Sequence, residues 1–283
     1  MSCLKSVCVK FSVNLARFAM KKYFFVYRTS LQRFVEYRGE ILMDISGKIL
    51  LPIFVQSVLW RAVIESTPSG QIAGYTYEAM FQYMVLSILI ANFVKVDSVE
   101  RQISSAIKDG TLNKFLAQPV DFALYNLMTF FADSTPVLLG GVIVYIVMLF
   151  TGFVYATVFQ ILCGFVVLVF GLFISFLLAF MIAALAFYMD EVWTLFVMKN
   201  MSMWFLTGQV IPLDLFPESV SRVLKFLPFG YLAFVPTKIF TGAFSTEEIL
   251  FALSVVFCWT LGLYLLYKVF WTYSLRQYSA FGG

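Results

Sequence analysis

The sequence predicts an all-α integral membrane protein with six transmembrane helices. Of its 283 residues, 61% are hydrophobic and only 13% are charged, whereas soluble domains are about half apolar and about a quarter charged. A soluble domain has too little interior to bury that much apolar surface, so lipid must solvate part of it. The apolar residues also form long stretches, each long enough for a helix that crosses a bilayer.

The six predicted spans occupy most of residues 41–272. A helix needs about 20 apolar residues to cross about 30 Å of hydrocarbon. The stretches that qualify are Ile41–Ile64, Tyr77–Val96, Phe122–Phe150, Ala156–Phe187, Val192–Pro212 and Ile249–Trp271. The third and fourth exceed the required length, so we expect them to tilt or to extend beyond the bilayer. No Pro-, Gly- or Ser-rich linker separates a soluble part, which favours one membrane domain over residues 1–283.

The distribution of Lys and Arg predicts the orientation of the spans, because cytoplasmic loops carry an excess of both. Sixteen of the 20 lie in the N-terminal region through Lys48, in the second and fourth loops and in the tail. The opposite side carries the other four: Arg61, Arg222, Lys225 and Lys238. Both termini are therefore expected in the cytoplasm, and six crossings require the same parity.

The segment before the first span, residues 1–40, is basic and aromatic. From Val9 to Glu40, apolar residues recur at about helical spacing with Lys and Arg between them. This pattern is typical of a helix that lies in the headgroup plane with its cations toward anionic lipid. The alternative is that the cations only fix the topology.

The second loop, residues 97–120, predicts a compact helix–turn–helix on the cytoplasmic side. Ile103 and Ile107 share one face of its first helix, and Gly110 ends that helix in the left-handed conformation. A second short apolar turn then stops at Pro119; its apolar residues are Leu112, Phe115 and Leu116. Such a loop suits docking onto another protein, and resting on lipid headgroups is the alternative.

Prolines interrupt the segment before the last span, residues 213–242. The residues that mark it are Pro212, Asp214, Pro217, Pro228 and Pro236. Broken backbone at membrane depth persists only where it is packed in protein or lines an aqueous cavity. We therefore expect short helices that dip into the outer leaflet, turn back and cap a pathway. The alternative is a surface loop with two interfacial helices.

Asp133 is the most isolated acid in the predicted spans, three residues before Pro136. A charge inside the membrane is costly and needs a reason. Two interpretations stay open: Asp133 lines a translocation path, or it bonds to a neighbouring span.

Three segments resemble ABC-2-type transporter permeases, and the resemblance covers nearly the whole chain. Ile211–Gly242 resembles the outer segment before the last span of these permeases, and Glu100–Val120 resembles their cytoplasmic loop. Leu31–Leu42 is similar to the entry into their first span. The resemblance implies the membrane subunit of an ATP-driven transporter, usually an exporter, in the inner (plasma) membrane.

The resemblance also implies partners and residue roles. Two permease chains, identical or related, pair within the lipid, and each rests on a cytoplasmic ABC ATPase subunit that binds ATP and Mg²⁺. This chain would bind no cofactor and no nucleic acid. The residues implied in a coupling helix that meets the ATPase are Glu100, Ile103, Ile107, Gly110, Leu112, Phe115 and Pro119. The proline-marked segment would form the outer re-entrant helices.

The chain has no phosphate-binding loop of the form GxxxxGK[ST]. Its one Gly-Lys pair, Gly47-Lys48, is followed by isoleucine, so we expect no ATP hydrolysis of this type by the chain itself. Energy must come from a partner or from an ion gradient. The alternative function is an ion-driven secondary carrier with Asp133 as its coupling site, although no inverted repeat is evident. An intramembrane enzyme is disfavoured because the chain has no histidine and no paired-acid or nucleophile motif inside a span.

Overall fold

The computed structural model describes residues 21–32, 39, 43 and 45–278, and its regular elements there are helical apart from one isolated bridge between Ile72 and Tyr75. We label the α-helices in chain order. They are α1 (residues 21–32), α2 (Leu51–Glu65), α3 (Tyr77–Phe93), α4 (Asp97–Lys108), α5 (Leu112–Leu116), α6 (Phe122–Phe150), α7 (Val158–Ala183), α8 (Trp193–Leu206), α9 (Glu218–Phe226), α10 (Phe234–Phe240) and α11 (Thr246–Gln277). A π-helical turn, Ser46–Leu50, leads into α2.

Five helical segments of the described chain are long and apolar enough to cross a membrane. They are Ser46–Glu65, Tyr77–Lys108, Phe122–Phe150, Val158–Phe187 and Thr246–Gln277. Four of the predicted spans are therefore recovered over most of their length. For the predicted first span, Ile41–Ile64, the structure supplies residues 43 and 45 onward.

The predicted fifth span, Val192–Pro212, contains a shorter helix than expected. Helix α8 has 14 residues, or about 21 Å of length, against about 30 Å of hydrocarbon. It ends because Gly208 takes a φ of +78°, a conformation that favours glycine. A Cβ on Gly208 would lie 2.9 Å from the Cβ of Phe234, so the turn also packs tightly. The count of six spans is not confirmed by helix length.

Side-chain caps determine where several helices begin. Thr76 Oγ1 accepts from the Ala79 amide at the start of α3. Thr157 and Gln160 form a capping box on α7, and Ser245 and Glu248 form another on α11. Such boxes satisfy amides that have no partner within the helix.

Helix α7 is central to the bundle, with α11, α10 and α4 packed around it. The 3₁₀ turn Pro228–Leu232 also packs on α7. Close approach is possible because Gly171 has no side chain: a Cβ there would lie 2.9 Å from the carbonyl oxygen of Tyr231. Small residues at helix interfaces allow such backbone contact in membranes. In contrast, α2 leaves most of its apolar side chains exposed.

The chain from Lys199 to Asp214 runs the length of α3. Lys199 pairs with Glu100, beyond the C-terminal end of α3. Asp214 accepts from the Tyr75 hydroxyl, just before the N-terminal end of α3. Helix α3 has 17 residues, or about 25 Å of length. Helix α8 and the turn after it therefore join opposite ends of the bundle.

Candidate functional site

The segment formed by α4 and α5 packs its apolar face on the chain itself. Ile103, Ile107 and Leu112 are buried, in a segment that contacts α6, α7 and the 3₁₀ turn Ala184–Phe187. These side chains therefore stabilise the position of the segment within the bundle. The exposed face carries Arg101 and Lys108, together with Leu116, which is 55% exposed. Docking of this segment on an ATPase stays a prediction.

The turn between α4 and α5 has the predicted geometry. Gly110 has a φ of +72°, as expected for a glycine that ends a helix. Phe115 is half-buried and meets the rings of Phe122 and Tyr125, with centroid distances of 5.0 and 4.9 Å. Pro119 is exposed. Phe115 thus anchors the short helix to the start of α6.

A buried ion pair joins α4 to α8. The Glu100 side chain is 1% exposed and pairs with the Lys199 ammonium group, whose side chain is 10% exposed. One turn earlier on α4, Asp97 Oδ1 accepts a 3.2 Å hydrogen bond from Asn200 Nδ2. Lys95 also pairs with Asp97 at 3.0 Å. The Lys199 ammonium compensates the charge of Glu100, since a buried carboxylate needs a partner.

Asp133 lies on α6 beside the beginning of α4. Its Oδ2 accepts a 3.0 Å hydrogen bond from Ser98 Oγ. This contact fits the interpretation that Asp133 bonds to a neighbouring element. Asp133 is not among the residues that line the cavity between α2, α3, α7 and α8.

That cavity has a volume of about 570 Å³ and lies between α2, α3, α7 and α8. Its end near α4 is polar; the lining side chains there are Lys48, Asn92, Lys95, Asp97, Lys199 and Asn200. Val55, Met203 and Trp204 form an apolar wall, and Gln209, Val210 and Leu232 lie at the far end. Gln56 also lines the cavity, and its buried Oε1 has no hydrogen-bond partner within the described residues. The cavity therefore has a polar end near α4 and a mixed interior.

The turn that closes the far end is held by hydrogen bonds. Tyr83 donates its hydroxyl to the Gly208 carbonyl at 2.5 Å, and Ser87 donates to the Gln209 carbonyl at 3.3 Å. The Phe234 amide donates to the Thr207 carbonyl at 3.0 Å. Irregular backbone at membrane depth requires such partners.

Two short helices, α9 and α10, follow this turn and have nine and seven residues. Neither can cross a bilayer. Pro212, Pro228 and Pro236 are buried, and Pro217 is exposed immediately before α9. This shape agrees with the short broken helices expected here, while a gating role stays a prediction. The apolar side chains of α9 are only partly covered, because Val223 is exposed and Leu224 is buried.

Three side chains tie this segment to the loop between α2 and α3. Tyr75 donates its hydroxyl to both carboxylate oxygens of Asp214 at 2.9 Å. Lys238 Nζ lies 2.7 Å from Asp214 Oδ2 and 4.4 Å from the centroid of the Tyr75 ring. Burial raises the pKa of Tyr75 well above its ordinary value, and the Asp214 carboxylate adds to this effect. Tyr75 therefore stays a protonated donor.

Helix α1 contacts the beginning of α6. The Asp121 amide donates to the Tyr23 hydroxyl at 3.0 Å, and the hydroxyls of Tyr27 and Thr135 are 3.0 Å apart. Within the predicted interfacial segment, residues 1–40, the structure describes residues 21–32 and 39. The helical state of residues 21–32 agrees with the prediction.

Comparison with protein families decides the identity of this arrangement. A family model described as an ABC-2 family transporter protein matches residues 50–282. The chain belongs to the ABC-2 transporter family. This family supplies membrane components of ABC transporters, and with its apolar helices the chain is a multi-pass membrane protein. No curated protein matches the chain in sequence.

Sequence reasoning about this ABC-2 protein missed the residues that link distant segments. The sequence marks Lys199 and Lys238 only as topology charges, and it assigns Tyr75 no partner. The partners of Lys199 and Tyr75 lie 99 and 139 residues away. The one available signal is that Lys199 lies within the predicted fifth span, Val192–Pro212, where a charge needs compensation.

Proposed function

We propose that the chain is the permease subunit of an ATP-driven ABC exporter. It works with two cytoplasmic ATPase subunits and a second permease chain, identical or related. The observation that carries the proposal is the position of the cavity. Its polar end adjoins α4, and its far end is closed by the re-entrant segment. This is the arrangement expected of a translocation path that lies between a cytoplasmic helix moved by the ATPase and a gate on the outer side.

The cavity supports a translocation path in an inward-facing state. Its volume of about 570 Å³ lies within the range of about 300–1,000 Å³ for small-molecule sites. The Gly208–Val210 turn and Leu232 separate it from the outer side. Opening would require this turn and the helices after it to move away from α3.

The exposed face of α4 and α5 supports contact with an ATPase. Leu116 is an exposed apolar side chain, and three exposed cations surround the segment: Arg101, Lys108 and Lys114. An apolar groove with acidic residues at its rim would complement this surface. The buried residues of the segment hold that surface in place.

The contacts of α8 support six crossings with both termini in the cytoplasm. The helix is short, but its chain connects Glu100 at the inner end to Tyr75 at the outer end. The turn from Thr207 to Pro212 completes the crossing within protein. We assign the chain to the inner (plasma) membrane.

The exposed apolar surfaces of α2 and α8 support pairing of two permease chains. Helix α2 exposes Phe54 and Val58, and α8 exposes Met201 and Phe205. The cavity lies between these two helices. A second chain there would close the cavity from the side, whereas lipid would leave it open.

An ion-gradient carrier with Asp133 as its coupling site is the alternative. Asp133 accepts a hydrogen bond from Ser98 and does not line the cavity. These observations favour a structural role for Asp133, so the ATP-driven transporter is the function we propose.

The proposal is tested by the association of the chain with ATPase subunits. The chain is purified in mild detergent with its co-expressed ATPase, and Leu116→Asp is compared with Leu116→Met. We expect the aspartate variant to lose ATPase association and the methionine variant to keep it, because only the former removes the exposed apolar contact. Ile107→Asp is unsuitable, since Ile107 is buried. Equal ATPase association in both variants would contradict the docking surface, and gradient-driven transport by the chain alone would contradict the function.

A further inference from the structure

We propose that the buried Glu100–Lys199 ion pair transmits movement of α4 to α8, so that α8 acts as a lever and reshapes the cavity. Both residues are then positioning residues for transport, and neither needs to touch the ATPase or the cargo. The proposal rests on the proposed function, because it requires an ATPase to move α4.

Two neighbouring polar contacts fix α8 on α4. Asp97 and Glu100 are three residues apart and lie on the same side of α4. Their partners, Asn200 and Lys199, are adjacent on α8. Two contacts at different heights restrict both rotation and sliding of α8 against α4, which a single contact would not do.

Apolar packing holds α8 only weakly. Phe196 is buried within α8, while many of its other apolar side chains are exposed; these are Trp193, Met198, Met201, Trp204 and Phe205. Helix α7, by comparison, has buried residues along most of its length. The ion pair is therefore a large part of what makes α8 follow α4.

The other end of α8 has the geometry of a pivot. Gly208 takes a φ of +78°, and its carbonyl is held by the Tyr83 hydroxyl. Met203 and Trp204 lie between this pivot and the ion pair, and both line the cavity. Displacement of the inner end of α8 would therefore move a cavity wall.

A buried ion pair suits transmission better than an apolar contact. Apolar surfaces slide past one another with little cost, whereas separation of opposite charges in a low-dielectric interior is expensive. The pair thus keeps α4 and α8 together during a movement that rearranges the surrounding packing.

The test uses the complex of the chain with its ATPases, in a background without the four native cysteines. Met203→Cys reports on the cavity wall through its rate of reaction with a water-soluble thiol reagent. The rate is measured without nucleotide and after trapping with ATP and vanadate. With the native ion pair we expect trapping to change the rate by about fivefold or more.

Single variants should uncouple the two helices. In complexes that bind the ATPase and hydrolyse ATP, Glu100→Gln and Lys199→Met are expected to lose most of the nucleotide-dependent change in labelling. The exchange Glu100→Lys with Lys199→Glu restores the opposite charges and should restore the change. If the ion pair served only to fold the chain, a variant that still hydrolyses ATP would also keep the nucleotide-dependent change in labelling of Met203→Cys.

A variant that lacks both charges tests whether misfolding explains the loss of the labelling change. Glu100→Met with Lys199→Met leaves no unpaired charge and should keep the elution profile of the native complex, yet lose the labelling change. If this variant or the single variants keep the full change, the proposal is overturned. A native chain that binds no ATPase would overturn the proposed function instead, and the proposal with it.

Discussion

At the scale of single residues, Glu100 shows how a carboxylate can be stable inside the bundle. Its desolvation is offset in part by the Lys199 ammonium group, and that group is itself almost buried. Loss of one member leaves the other charged and without compensation. Replacement of both by methionine leaves an apolar contact of similar volume.

Glu100→Ala should therefore destabilise the chain by about 3–5 kcal/mol. Glu100→Met with Lys199→Met should cost much less, because no buried charge is left unpaired. Both are measured by thermal unfolding of the purified chain in one detergent. Equal destabilisation by the single and the double variant would show that an unpaired buried charge is not the cause of the destabilisation.

Tyr75 contributes a hydrogen bond to a charged acceptor, the Asp214 carboxylate. Tyr75→Phe removes the donor to Asp214 and keeps the ring under Lys238. Since hydrogen bonds to charged groups contribute about 1.5–3 kcal/mol, we expect a loss of stability of that size. Tyr155→Phe, at a side chain 80% exposed, is the matched control and should change stability little.

The raised pKa of Tyr75 adds a dependence on pH. The unfolded tyrosine ionises near pH 10, whereas the folded one resists ionisation because of burial and the Asp214 carboxylate. The contribution of Tyr75 is therefore fully present below pH 10 and is lost as the pH rises above it. As the pH rises above about 10, the free energy of unfolding of Tyr75→Phe should therefore fall less than that of the native chain. The same unfolding experiment measures this difference.

At the scale of elements, the Gly208 turn ends α8 and leads to the short helices α9 and α10. Gly208→Ala should destabilise the chain by about 1–3 kcal/mol through backbone strain, and its Cβ would also crowd Phe234. Gly262→Ala is the matched control. Gly262 lies inside α11, and a Cβ at this position would have open space around it, with no atom within 4 Å, so alanine should be neutral or stabilising. Similar unfolding temperatures for the two variants would contradict the strain argument.

The sequence predicted the type and order of most elements but not the surfaces that cover them. The spacing of Ile103 and Ile107 identifies a face of α4, and Gly110 identifies its end. Periodicity cannot say whether that face meets another protein or α7, and in the structure it is buried within the chain. Hydropathy likewise continues through Gly208, because it does not register a change in backbone conformation.

The polar contacts between distant segments could not be predicted from the sequence, for a different reason. Glu100 and Lys199 are 99 residues apart, and either residue alone resembles a cytoplasmic charge. Their partnership depends on how α8 lies against α4, which is a property of the tertiary structure. The same holds for Tyr75 and Asp214.

At the scale of the whole molecule, α8 and the turn after it connect the side of the bundle that carries α4 and α5 to the short helices α9 and α10. The chain passes from Lys199 beside α4 to Asp214 beside Tyr75. If this passage crosses the bilayer, residues before α8 and residues after it face opposite sides. The labelling of cysteines in intact cells can decide this point.

We expect an impermeant thiol reagent to label three positions from outside and three only after the membrane is permeabilised. The outer positions are Ser69, Tyr155 and Ser219, and the inner positions are Lys114, Met189 and Gln277. All six are exposed. Ser221→Cys is the control for Ser219→Cys, because Ser221 is 7% exposed and should react much more slowly. The decisive pair is Met189 and Ser219, which flank α8. Labelling of both from the same side would show that α8 and the turn after it do not cross the bilayer. Helix α8 would then have no pivot on the outer side, which the proposed lever requires.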